Sequence, residues 1–178
     1  TAGRALELVC YGGDADTTPV VIDNWVTSAG STIRIVGADA SFGHEGSWRH
    51  AGKWSERAYR LEVSGEESCV HVQVGNVDLE GLQLSCENDG GEVRGIYLDG
   101  IDGDVEIGQT LIHLGPSSSP DARIAIDARH AYEPVEILVK NSVLWDFGDG
   151  SSSDHVGILV DDSAISLLAV NNTIYGGA

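Results

Sequence analysis

An all-β solenoid, a chain wound into stacked coils of parallel strands, is the fold class this sequence predicts. Three observations carry that reading. Similar strand-turn-strand units recur about every 30 residues through the second half. Within each unit apolar residues alternate at a period of two, which suits strands and excludes amphipathic helices. Composition agrees: the 178 residues include 23 Gly and no Met, and aromatics make up only 6%. The length suits one domain with a real core.

The repeat is clearest in four segments: Val77-Asp-Leu-Glu-Gly-Leu-Gln-Leu84, Val105-Glu-Ile-Gly-Gln-Thr-Leu-Ile112, Ile137-Leu-Val-Lys-Asn-Ser-Val-Leu144 and Leu168-Ala-Val-Asn-Asn-Thr-Ile-Tyr175. Taking the fifth position as the bend gives Gly81, Gln109, Asn141 and Asn172, spaced by 28, 32 and 31 residues. A second column precedes the first: Val72–Gly75, Ile96–Asp99, Ile124–Asp127 and Ile158–Asp161. Each unit reads as a strand, a turn, a second strand that bends, and a loop rich in Gly, Ser, Asp and Pro. Propeller blades need four strands in ~40 residues, and these units hold two or three. Stacked turns of ~30 residues, ~4.8 Å apart, would bury a continuous column of Val, Ile and Leu.

Residues 1–69 read as the first coils plus an irregular insertion or cap, and 70–178 as regular coils of the same domain. Ala5–Val9, Val20–Asp23, Thr32–Val36 and Arg60–Val63 are strand-like. The long loop Asp39–Ser55 is expected to be functional or a cap. The repeat stays regular to Tyr175, so the last coil is expected to be covered, by further coils of a longer chain or by end-to-end self-association.

The strand-plus-Asn pattern of Val139-Lys-Asn-Ser-Val-Leu144 and Val170-Asn-Asn-Thr-Ile-Tyr175 resembles the right-handed parallel β-helix of the pectate-lyase-like superfamily, over about residues 70–178. Asn at the bend suits that fold, because it tolerates left-handed backbone and its amides stack from coil to coil. More loosely, the first half is similar to N-terminal regions of secreted or virion-associated β-helix repeat proteins. Cys10-Tyr-Gly-Gly13, Thr32–Val36, Arg49-His-Ala-Gly-Lys-Trp54 and Tyr59-Arg-Leu61 carry that likeness. The resemblance implies an extracellular, cell-surface or virion location. Enzymes of this fold cleave acidic polysaccharides. Asp161-Asp162 is similar to the adjacent Asp pair of polygalacturonases, but the companion Asn-Thr-Asp, Gly-His-Gly and Arg-Ile-Lys elements are missing, as is a pectate-lyase calcium and arginine constellation. No catalytic residue is assigned on this basis.

Charge narrows the partners. Ten basic against 28 acidic residues give a net charge of −18, which opposes nucleic acid and anionic membranes. No apolar run approaches the ~18 residues that span a bilayer. Of the cysteines, Cys10 and Cys86 are expected to point inward and Cys69 outward, a pattern that favours free thiols over one disulfide. None of the six histidines, His44, His50, His71, His113, His130 and His155, has zinc-ligand spacing. His71 and His113 are expected to face solvent.

Two clusters are candidate sites. Trp48, Arg49, His50, Trp54 and Tyr59 form the one aromatic and basic concentration of an acidic chain. They suit glycan binding by stacking on flat rings, or a cap over the coil. Asp99, Asp127 and Asp161, with Asp162 beside the last, line up at the end of successive first strands. Stacked carboxylates at ~5 Å repel, and calcium would resolve the conflict. A solvated turn-forming role is the other reading. The expected function is a non-catalytic extracellular β-helix module with a structural, adhesive or glycan-binding role. The alternative is a polysaccharide lyase or glycoside hydrolase of the pectin-lyase-like fold.

Overall fold

A computed structural model describes residues 5–39, 49–88, 91–115, 122–147 and 155–176. Every element among them is a strand, and the strands follow one another around a three-sided coil. The first turn holds β1 (Leu6–Cys10) and β2 (Val20–Ile22). The second holds β3 (Ile33–Gly37), β4 (Leu61–Ser64) and β5 (Ser68–Val72). The third holds β6 (Val77–Glu80), β7 (Gln83–Glu87) and β8 (Val93–Ile101). The fourth holds β9 (Val105–Gly108), β10 (Leu111–Leu114) and β11 (Arg123–Ala131). The fifth holds β12 (Val135–Lys140), β13 (Val143–Trp145) and β14 (His155–Val160), and β15 (Ile165–Val170) and β16 (Thr173–Tyr175) follow.

Each side is a parallel sheet: β1-β3-β6-β9-β12-β15, β4-β7-β10-β13-β16 and β2-β5-β8-β11-β14. The chain is therefore a parallel β-solenoid of about five turns. Three apolar columns meet inside it. Ile35, Leu79, Ile107 and Val139 stack on the first sheet. Leu61, Leu84, Ile112 and Leu144 stack on the second, and Val70, Ile96 and Ile126 on the third. All are buried. At the last coil the column is uncovered: Leu167 is 38% and Ile174 48% exposed.

The bends between first and second sheets use left-handed backbone at Gly81, Gln109, Asn141 and Asn171. Asn171 Nδ2 donates to Asn141 Oδ1 at 2.7 Å, so the expected amide stacking is present at this corner. The fourth bend residue is Asn171 rather than Asn172. Leu167, not Leu168, pairs with Ile137, and the expected alignment was one residue late in this coil. Asn172 instead bridges coils, accepting from Ser142 N at 2.9 Å and donating to the Val139 carbonyl at 2.8 Å. Gly81 breaks the Asn pattern for a steric reason. A Cβ there would lie 2.3 Å from Arg49 Nε.

Two further expectations are corrected. Cys69 and Cys86 form a disulfide, and Cys10 is the free thiol. Cys69 does not face out. Both Cys69 and Val70 are buried, because β5 starts at a corner where the turning chain breaks the alternation. Closing a loop of this length contributes about 3 kcal/mol in the chain-entropy account. Burial pushes the Cys10 thiol up to about 11, helped by the Asp16 carboxylate.

The aspartate column is not a column. Asp127 pairs with Tyr97 and Leu159, while Asp99 pairs with His130 across a bulge. The true partners of Ile96 are Val70 and Ile126, two residues from the expected alignment. Asp127 is fully buried and held by Arg94 Nε at 2.6 Å and Arg129 Nε at 2.8 Å. Arg94 also contacts Glu92 and lies 4.6 Å over the Tyr97 ring. Arg94→Ala is expected to cost about 3–5 kcal/mol, because it strips a buried carboxylate of its best partner. Denaturant titration measures this, and a loss below 1 kcal/mol would show that Arg129 alone suffices.

Candidate functional site

The second sheet carries a column of outward side chains. Glu62 pairs in register with Ser85, Ser85 with His113, His113 with Trp145, and Trp145 with Tyr175. In parallel strands such partners sit one strand spacing apart, ~4.8 Å. Rings on neighbouring strands then lie face to face: His113 and Trp145 stack with centroids 5.2 Å apart and planes 28° apart.

A segment from outside the sheet completes the site. Residues 49–60, between β3 and β4, run along the flank of the coil and are held there by a buried amide. Gln83 Oε1 accepts from Ser55 N at 2.7 Å, and Gln83 Nε2 donates to the carbonyls of Ser55 at 2.9 Å and Tyr59 at 3.1 Å. Gln83 has no exposed surface. Its neighbour in the chain, Leu84, points into the core, so the alternation of β7 turns Gln83 toward the insertion. The clamp sets Trp54 edge-on to Trp145, with centroids 6.0 Å apart, and 6.4 Å from His113. The result is a groove of about 310 Å³ lined by Trp54, Glu62, Ser85, His113 and Trp145.

Polar contacts inside the groove are ordered. Ser85 Oγ lies 3.1 Å from His113 Nδ1, and Asp146 Oδ2 lies 3.3 Å from Nε2. Asp146 occupies left-handed backbone directly after β13, which turns it back toward the preceding coil. Arg60 Nη1 pairs with Glu62 at 3.1 Å at the other end.

The aromatic and basic cluster expected from the sequence is divided by the structure. Trp54 lines the groove. Arg49 and His50 sit at the corner between the first two sheets. Arg49 Nη1 donates to Gln109 Oε1 at 3.2 Å and pairs with Glu80 at 3.3 Å, and His50 Nε2 meets the Gln109 carbonyl oxygen. Burial holds His50 below its ordinary pKa, and the Arg49 charge adds to this against that hydrogen bond. Tyr59 packs against the core, with its pKa raised by burial first and then by Cys10 and Asp16. Trp48 and His44 lie outside the described residues. Sequence reasoning missed Ser85, His113, Trp145 and Asp146. The repeat alignment held the signal for three of them, because Ser85, His113 and Trp145 each directly follow the buried leucine or isoleucine of their coil.

Of the four carboxylates considered for calcium, Asp127 is held by two arginines and Asp162 by the backbone. Asp162 accepts from Ala164 N at 2.8 Å and Ala131 N at 3.0 Å, and these two bonds hold its pKa low. Two further aspartates, Asp102 and Asp104, likewise accept from backbone, from Gly75 N and Glu136 N, both at 2.8 Å. Asp161 is exposed and Asp99 half-exposed. Among the described residues no group of three or more His, Cys, Asp or Glu side chains is arranged to hold a metal ion.

No family model, curated protein or solved structure matches this chain. The reading of the site rests on its geometry.

Gln83→Ala is expected to cost about 1–3 kcal/mol, since it leaves Ser55 N and two carbonyls without their partner. It should also free Trp54 from the flank, which is seen as a red shift of tryptophan emission. Unchanged stability and emission would show that other contacts seat the segment.

Proposed function

We propose that this chain is an extracellular β-solenoid module that binds a glycan along the groove of Trp54, His113 and Trp145. One observation carries the reading: three rings from three separate segments of the chain converge on a solvent-open groove, with Glu62 and Ser85 as polar edges and Asp146 on the His113 imidazole. Flat rings offer stacking surfaces for the apolar faces of sugars, and the adjacent oxygens and imidazole offer hydrogen bonds to hydroxyls. The net charge of −18 favours a neutral glycan over a polyuronate. A buried disulfide supports an oxidising compartment, in keeping with a secreted, surface or virion setting. Three parallel sheets and the Asn141–Asn171 contact support kinship in fold with the pectate-lyase-like superfamily.

The test is retention on an array of neutral and acidic glycans, followed by titration of the retained oligosaccharide with tryptophan emission as readout. Trp145→Ala and Trp54→Ala are each expected to weaken binding about tenfold or more, equivalent to about 1.4 kcal/mol. Retention of no glycan, or affinity in both variants equal to that of the unsubstituted chain, would overturn the reading.

A further inference from the structure

The same groove holds an arrangement that binding alone does not use. Asp146 Oδ2 faces His113 Nε2 at 3.3 Å, and Ser85 Oγ faces Nδ1 at 3.1 Å. The carboxylate decides the tautomer. With the proton on Nε2, N–H points at a negative oxygen. With the proton on Nδ1, a ring lone pair would point there instead. The favoured tautomer leaves the Nδ1 lone pair to accept the Ser85 hydroxyl proton. A hydroxyl on a base, and the base oriented by a carboxylate, is the logic of an activated serine nucleophile, here with the two ring nitrogens exchanged relative to the serine proteases. His113 is further fixed by its stack on Trp145, so its ring is preorganised.

We propose that Ser85 is an acyl-accepting nucleophile and that the groove cleaves carboxylic esters, with O-acylated sugars as the substrate class. The substrate class rests on the glycan reading above; the nucleophile does not. Ser85 Oγ attacks the ester carbonyl carbon as its proton passes to His113 Nδ1, and the carbonyl π pair moves onto oxygen. The tetrahedral species collapses, the C–O bond to the alcohol breaks, and the leaving oxygen takes the proton from Nδ1. Water then attacks the acyl-serine by the same route, which releases the carboxylic acid and restores Ser85. Asp146 is a positioning residue that stabilises the transient imidazolium. This chemistry goes beyond the non-catalytic role expected from the sequence, and it uses none of the paired carboxylates that glycoside hydrolysis requires.

The experiment uses probes without a sugar, so its outcome is independent of glycan binding. The intact chain is treated with a fluorophosphonate, the adduct is mapped by peptide mass, and p-nitrophenyl acetate hydrolysis is followed in parallel. An adduct on Ser85 is expected, with hydrolysis lost in Ser85→Ala and unchanged in Ser64→Ala. His113→Ala should slow labelling at least a hundredfold, in line with a general base. Asp146→Asn should slow it about tenfold, and Asp146→Glu should restore part of the loss, which a merely structural aspartate would not do. Mapping the adduct in the unsubstituted chain keeps the test valid whatever the variants do to folding. Absence of an adduct on Ser85, or labelling of His113→Ala at the unsubstituted rate, would overturn the proposal. An adduct on Ser85 in a chain that retains no glycan would uphold the nucleophile and sink the sugar reading.

Discussion

Everything outside the core follows from the in-register pairing of one coil on the next. Parallel strands stacked ~4.8 Å apart bring residues about 30 positions apart in sequence into direct contact, and the same partners recur at every turn. Inside, this register builds the columns of Leu, Ile and Val that hold the coils together. Outside, it makes a ladder of whatever side chains the sequence places there. Glu62, Ser85, His113, Trp145 and Tyr175 are five consecutive rungs of one such ladder. A slip of one residue in β10 would put Ile112 or Leu114 in the place of His113 and turn apolar side chains to water. The buried columns therefore enforce the geometry of the groove, although none of their members line it.

Ladder rungs alone make a flat face, and the insertion makes it concave. Gln83 is the link between the two, because its amide satisfies backbone groups of the segment at Ser55 and Tyr59 while its own strand stays in register. A buried amide with all its contacts made is a specific anchor, since any shift of the segment would leave polar groups unpaired. The third sheet holds one buried carboxylate in a comparable way. There Asp127 lies between Arg94 and Arg129, and His71 stacks on Tyr97 with ring centroids 4.6 Å apart. In a chain with 28 acidic and ten basic residues, three of the basic ones are committed to the positions just described: Arg49 at the corner, and Arg94 and Arg129 around one carboxylate.

The fold was legible because period-two alternation and a 30-residue repeat leave few other architectures, and the bends at Gly81, Gln109 and Asn141 stood where the repeat put them. Phase was harder to read. A two-residue shift keeps every side chain on its own face, so alternation could not separate Ile124 from Ile126 as the partner of Ile96, and the false aspartate column followed from that shift. The run Leu167-Leu168 hid a one-residue shift in the last coil for a similar reason, since both residues are apolar. Corners carried no period at all, which is why Cys69 was expected outside and is found in a buried disulfide. The site was legible only at Trp54. Its partners Ser85, His113 and Trp145 come from three different coils, and their meeting depends on a register that composition does not reveal.

The most direct test of this account is the set of through-space proton contacts of His113 in a nuclear Overhauser spectrum of the isotope-labelled chain. The account predicts cross-peaks from the His113 ring protons to the Ser85 β protons on one side and to the Trp145 indole protons on the other, with Trp54 indole protons also reached. Cross-peaks from that ring to Leu84 and Leu144 side chains in their place would mean that the coil register is shifted by one residue. That result would dissolve the ladder and the groove together.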